Sequence, residues 1–226
     1  MATGPLLLLE TFVDIRTLCD EVKFAHDNVF SYLGEGLKKW LAEILTDLDV
    51  KDSPKILGQV AAGAFISGPV YIAKGAVVEP TAYIQGPCYI GPEAEVRHGA
   101  YIRGNVYVGK KAVVGHTSEI KGSVLLDGAK AAHFAYVGDS FLGQDVNLGA
   151  GTKLANLKLR GSEVSFKHPV SDQRVTSGLR KFGAVMGDRC ETGCNSVLSP
   201  GTLLLPGTAV MPALHFHGTL KHGIAR

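Results

Sequence analysis

A chain of 226 residues is one ordinary domain with an appendage, and its 46% hydrophobic residues are enough to bury a substantial core. Lys and Arg total 23 against 21 Asp and Glu, a balance of +2 that gives no reason to expect nucleic acid or an anionic membrane as partner. No apolar run approaches the roughly 18 to 20 residues of a membrane span, and Leu6 to Leu9 lack the basic flank and length of a secretory signal, so a soluble, cytoplasmic protein is expected. The four cysteines, Cys19, Cys88, Cys190 and Cys194, are too few and too scattered for a disulfide scaffold.

Residues 1–52 read as a helical segment. Asp27 is placed to cap a helix whose apolar face is Phe30, Leu33, Leu37, Trp40, Leu41, Ile44, Leu45 and Leu48, at spacings of three and four. That face is expected to pack on the first coils of the next region or on a neighbouring subunit, covering one end.

From residue 53 a period of six takes over. Aliphatic residues return at Ile66, Ile72, Val78, Ile84, Ile90, Val96, Ile102, Val108, Val114, Ile120 and Leu126, with a small residue two positions before each. Six fits neither the 3.6 of a helix nor the 2.0 of a lone strand. It fits an all-β prism of three parallel sheets, 18 residues per coil, with the aliphatic residue inward and glycine at the corners. The period slips after Leu126, through Ala131, Val137, Leu142, Leu148 and Leu154, with two steps of five. It breaks over residues 157–181, a basic stretch that reads as a long excursion and hence a functional loop. It resumes at Met186 and runs to Val210, leaving residues 213–226 as a C-terminal tail and the prism as residues 53–212.

Four motifs carry chemistry: Lys121, then KAAHFAYVGD at 130–139, then NLGAG at 147–151, then RKFGAVMGDRCETGCNSVL at 180–198. Together they resemble the left-handed β-helix acetyltransferase domain of the bifunctional GlmU-like enzymes that make UDP-N-acetylglucosamine. The chain is also similar to a freestanding subfamily, often named for sugar-phosphate nucleotidylyl transfer, in which a helical N-terminus joins this prism directly. Residues 1–52 hold no Gly-rich, Arg-containing phosphate loop, so the nucleotidylyltransferase half is expected to be absent.

The resemblance implies a homotrimer with clefts between subunits, acetyl-CoA as co-substrate and an amino-sugar 1-phosphate, glucosamine 1-phosphate first, as acceptor. It makes His133 the catalytic base, and imidazole is the side chain that titrates nearest neutrality. It gives Arg97, Lys121 and Lys181 to the phosphate, Tyr136 and Asn147 to the sugar ring, and Asn156 to the amine and thioester. Ala150 and Cys194 fall to the coenzyme. Asp139 could orient His133 or serve only its turn. The donor side departs from the pattern: Cys194 stands for a serine, Leu157 for a tyrosine, and Lys158-Leu159-Arg160 for a glycine-bearing turn. These departures motivate an alternative, a non-catalytic trimeric module that binds a sugar phosphate or nucleotide sugar, or a scaffold for a separate nucleotidylyltransferase. Another amino sugar or acyl chain is a third option. His98, His116 and His133, spaced 18 and 17 apart, could form a ladder on one edge, but coils about 4.8 Å apart suit a tetrahedral metal poorly, and none is expected.

Overall fold

The computed structural model describes residues 6–18 and 22–226, so Cys19 lies outside the described residues. Its body is a left-handed parallel β-helix. Three sheets of nine, nine and eight short strands form the sides, and each strand pairs in parallel with the strand one coil earlier and one coil later. The first sheet begins at Lys55–Ile56, the second at Gln59–Val60 and the third at Phe65–Ser67.

The six-residue period is the register of this prism. Ile72, Val78, Ile84, Ile90, Val96, Ile102, Val108, Val114 and Ile120 all point inward and are fully buried, as are Met186, Leu198 and Leu204 above the excursion. Burying each such side chain contributes on the order of 2 kcal/mol, and the stack shares one continuous core.

The slip falls one corner earlier than the spacing suggests. Leu125, not Leu126, is the inward residue, and Leu126 faces outward under the cover described below. Pairing offsets are 18 residues for Gln85 with Arg103 but 17 for Val106 with Ser123, and 17 again for Val124 with Phe141. The lost residue comes from the corner joining the third sheet to the first, where Gly122 has φ +55° and a Cβ would meet Asp139 Oδ1 at 2.6 Å. Two adjacent aliphatic residues hid the shift.

The excursion leaves that same corner. Phe182 N donates to Asn156 O (2.9 Å) and Gly183 N to Asp139 O (2.9 Å), closing the gap between departure and return. In between lies an antiparallel hairpin, Ser165–Lys167 with Arg174–Thr176. Beyond residue 212 the coils continue: His215–Phe216, Thr219–Leu220 and Ile224–Ala225 each add a strand to a sheet, so the segment read as a tail carries the end of the prism.

The N-terminal segment differs from expectation in start and in docking site. Asn28, rather than Asp27, supplies the cap, its Oδ1 accepting from Phe30 N (3.2 Å) and fixing a short 3-10 turn, Val29–Tyr32. Helix α1 follows at Gly34–Asp47 and buries Leu37, Trp40, Leu41, Ile44 and Leu45, as the three-and-four spacing requires. This face does not cover the end of the prism. It lies along the outer face of the first sheet, where the outward residues are Tyr71, Tyr89, Tyr107, Val124, Phe141, Val185 and Leu203. Trp40 packs on Tyr107 (centroids 4.9 Å apart) and Tyr32 (4.9 Å), a packing role. Phe166 and Phe182 extend the cover from the excursion. A clasp locks it: buried Asp188 accepts from Asp14 N (2.9 Å) and Gln144 N (2.7 Å).

Candidate functional site

Among the described residues nothing covers the third sheet's outer face in this way, and most of the candidate residues gather along its two edges. The edge shared with the first sheet is a connected network. Lys121, at the end of strand Glu119–Lys121, reaches Asp139 with its Nζ 3.0 Å from Oδ2. Asp139 also accepts from Asn156 Nδ2, and Tyr136 OH donates to Asn156 Oδ1 (3.4 Å). Burial, with Glu119 and Asp139 nearby, pushes the Tyr136 hydroxyl above its ordinary pKa, so it stays a donor. Asp139 therefore positions Lys121 and Asn156, not His133. Asn156 belongs to this edge rather than to the neighbourhood of the base.

Lys181 arrives at the same edge because the excursion returns here, Leu157 and Lys181 forming an isolated bridge. A cavity of about 380 Å³ opens beside the network, lined by Lys121, Asp139, Lys181, Arg103, Arg180, and Glu35 and Lys38 of helix α1 among others. Arg103, which the motifs passed over, stands one nominal coil from Lys121 and is held by Glu119 (Nη1 to Oε1 2.6 Å). Its signal was available as an 18-residue separation from Lys121.

Arg97 is placed elsewhere. It sits at the corner between the second and third sheets, paired with Glu95 (2.7 Å), and the chain does not bring it to Lys121 and Lys181. The register Val96, Val114, Ala131 sets it beside the His133 edge, which is a different edge from the cavity's.

That second edge carries His133, exposed at the end of strand Lys130–His133. Its carbonyl accepts from Gly151 N (3.0 Å), and Ala150 O accepts from Asn195 N (2.8 Å). His133, Ala150 and Cys194 thus climb one corner in successive coils, each step on the order of 4.8 Å. Base and donor-side candidates share an edge although 61 residues separate the first from the last. Cys194 is exposed, whereas Cys88 and Cys190 are buried and burial pushes both thiols up. Asn147 faces outward from the second sheet, opposite Lys130 and Glu191, around the corner from Tyr136.

The histidine ladder forms in part. His98 and His116 stack with centroids 4.9 Å apart, and His116 is in register with His133. Yet Phe134 is the ring that packs on His116 (5.3 Å) after the 17-residue coil. Among the described residues no three His, Cys, Asp or Glu side chains converge as a metal site would need. No helix of the described residues is long and apolar enough to cross a membrane.

Comparison with known proteins matches residues 84–177 to the model of the GMPPB C-terminal domain. A bifunctional sugar-1-phosphate nucleotidylyltransferase/acetyltransferase of Sulfurisphaera tokodaii is 41% identical over 100 residues, 44% of this chain and 24% of that protein. The bifunctional protein GlmU of Methanococcus maripaludis is 39% identical over 147 residues, covering 65% of this chain and 35% of that one. The β-helix is GlmU-like. The GlmU of Methanococcus vannielii matches a shorter stretch, 40% over 78 residues, 34% of this chain and 18% of the relative. The chain therefore spans about a quarter to a third, or less, of the length of these relatives. The family-model match holds Arg103, Lys121, His133 and the Tyr136–Asp139–Asn156 network, and stops before Lys181 and Cys194.

Proposed function

We propose that this GlmU-like β-helix transfers an acetyl group from acetyl-CoA to an amino-sugar 1-phosphate, glucosamine 1-phosphate being the first acceptor to test. The observation that supports it most is the division of one uncovered face: cations for a phosphate along one edge, and an exposed imidazole with the donor-side corner along the other. Strand Tyr136–Gly138 between them is three residues, about 10 Å at 3.3 Å per residue. The phosphate and the amine of glucosamine 1-phosphate stand on neighbouring carbons, so the long Lys121 and Lys181 side chains of one edge and the His133 ring of the other reach in towards one ligand over that strand, or meet it across a cleft between copies.

In this reading Lys121, Lys181 and Arg103 hold the phosphate, and Tyr136 orients the ring. His133 takes the proton from the amine as its nitrogen attacks the thioester carbonyl. The C–N bond forms, the C–S bond breaks, and the thiol of coenzyme A leaves with a proton. Ala150 and Cys194 line the pantetheine side. Arg97 and Asn147 stand on or beyond the His133 edge, so they serve this acceptor only in a cleft between copies, and the reading includes a homotrimer. A cytoplasmic site of action follows from the co-substrate. Mixing acetyl-CoA, glucosamine 1-phosphate and purified protein should release free thiol, and His133→Ala should abolish the release. Turnover retained by that variant sinks the assignment of the base.

The second reading, a sugar-phosphate-binding module without chemistry, is favoured by the donor side, where Leu157 is exposed in place of a tyrosine and Cys194 replaces a serine. Tight binding of coenzyme A in calorimetry counts against it.

A further inference from the structure

The cavity beside Lys121 is built from three separate parts of the chain. The β-helix contributes Arg103, Lys121 and Asp139, the excursion Arg180 and Lys181, and helix α1 Glu35 and Lys38. Five cations face two carboxylates around about 380 Å³. Three of the five already have partners: Lys38 with Glu35 (2.5 Å), Arg103 with Glu119 (2.6 Å) and Lys121 with Asp139 (3.0 Å). Arg180 and Lys181 have no ion-pair partner among the described residues. Gathering like charges costs free energy unless a counter-charge arrives, and two uncompensated positive charges match one phosphomonoester, which carries about −1.5 to −2 at neutral pH.

We propose that Arg180 and Lys38 complete the anion site, so that the phosphate is gripped by the N-terminal helix, the excursion and the β-helix of one chain. The inference rests on the acceptor reading above and deepens it, assigning the N-terminal helix a part in substrate recognition beyond covering the first sheet. Arg180 presents a planar fork that suits two phosphate oxygens. Lys38 exchanges Glu35 for the ligand: the pair is exposed, with side chains 51% and 78% accessible, so little is lost when it opens. Glu35 then acts as a competitor for Lys38, and removing its charge strengthens the site.

The test is calorimetry at low ionic strength with two probes, inorganic phosphate and glucosamine 1-phosphate, on the full chain without acetyl-CoA. Arg180→Ala should weaken both by about tenfold and Lys38→Ala by about threefold, while Glu35→Gln should tighten both by about threefold. Opposite signs on one helix cannot come from a general loss of folding. Lys39→Ala, on the same helix but outside the cavity, should change nothing, and unphosphorylated glucosamine should be indifferent to all four variants. Unmoved affinities in Lys38→Ala and Glu35→Gln overturn the proposal while leaving the acceptor reading intact. Phosphate binding that follows these variants, in a protein that acetylates no amino-sugar phosphate, keeps the site and sinks the acceptor reading. A wild-type chain that binds neither probe overturns both.

Discussion

The first and third sheets come from the same repeat, yet their outer faces have opposite fates. Along the first, Tyr71, Tyr89 and Tyr107 stack at 5.5 and 4.9 Å and vanish beneath helix α1 and the excursion. Along the third, Phe65, Tyr83 and Tyr101 form a similar aromatic column, at 51%, 40% and 39% exposure, and further coils turn polar with Glu119, Tyr136 and Lys153. A parallel β-helix makes three equivalent faces, and what distinguishes them is what the rest of the chain lays on each. The covered face carries stability. The bare one carries the candidate site along its edges.

Phe141→Ala attacks the covered face where sheet and cover meet. Phe141 is fully buried, and its loss should destabilise the protein by about 3–5 kcal/mol in chemical denaturation. Tyr101→Ala on the bare face should cost under about 0.5 kcal/mol in dilute protein. A large cost for Tyr101→Ala that depends on protein concentration would show copies meeting there, as the proposed trimer allows. His133→Ala should lower kcat by about 10²- to 10⁴-fold and leave thermal stability unchanged, because the ring is exposed. Lys121→Ala should raise KM for the phosphorylated acceptor by about tenfold and change kcat less, since it removes binding common to ground and transition states.

The smallest effect concerns the clasp. Burial raises the Asp188 carboxyl above its ordinary 3.8, against the pull of the Asp14 and Gln144 donors. A carboxyl raised on folding contributes stability that is full below pH 3.8 and is lost as pH rises through the folded value. Asp14 has the opposite sign: its carboxyl is held down at about 2 by the Arg16 side chain, so its small, exposed contribution fades as pH falls from 3.8 towards 2. Thermal melts across this range should show the Asp188 decline disappear in Asp188→Asn. A decline that persists in the variant assigns it to other groups.

The period of six determined the β-helix and most of its inward residues, because a solenoid repeats its local environment every coil and so writes it into the sequence. The spacing of three and four likewise determined the apolar face of helix α1. The tertiary structure decided what no local pattern encodes. It chose the side of the prism that the helix covers, since Tyr71, Tyr89 and Tyr107 alternate with inward residues and read from sequence as ordinary outward positions. It moved the slip to the Gly122 corner, because adjacent Leu125 and Leu126 satisfy the pattern equally well. It also sorted the candidate site: Lys181 reaches Lys121 because the excursion returns to its own starting corner, Arg97 falls on the other edge, and Arg103 takes a place beside the cavity. A count of coils gives height along a prism, and only the placement of each corner gives the side.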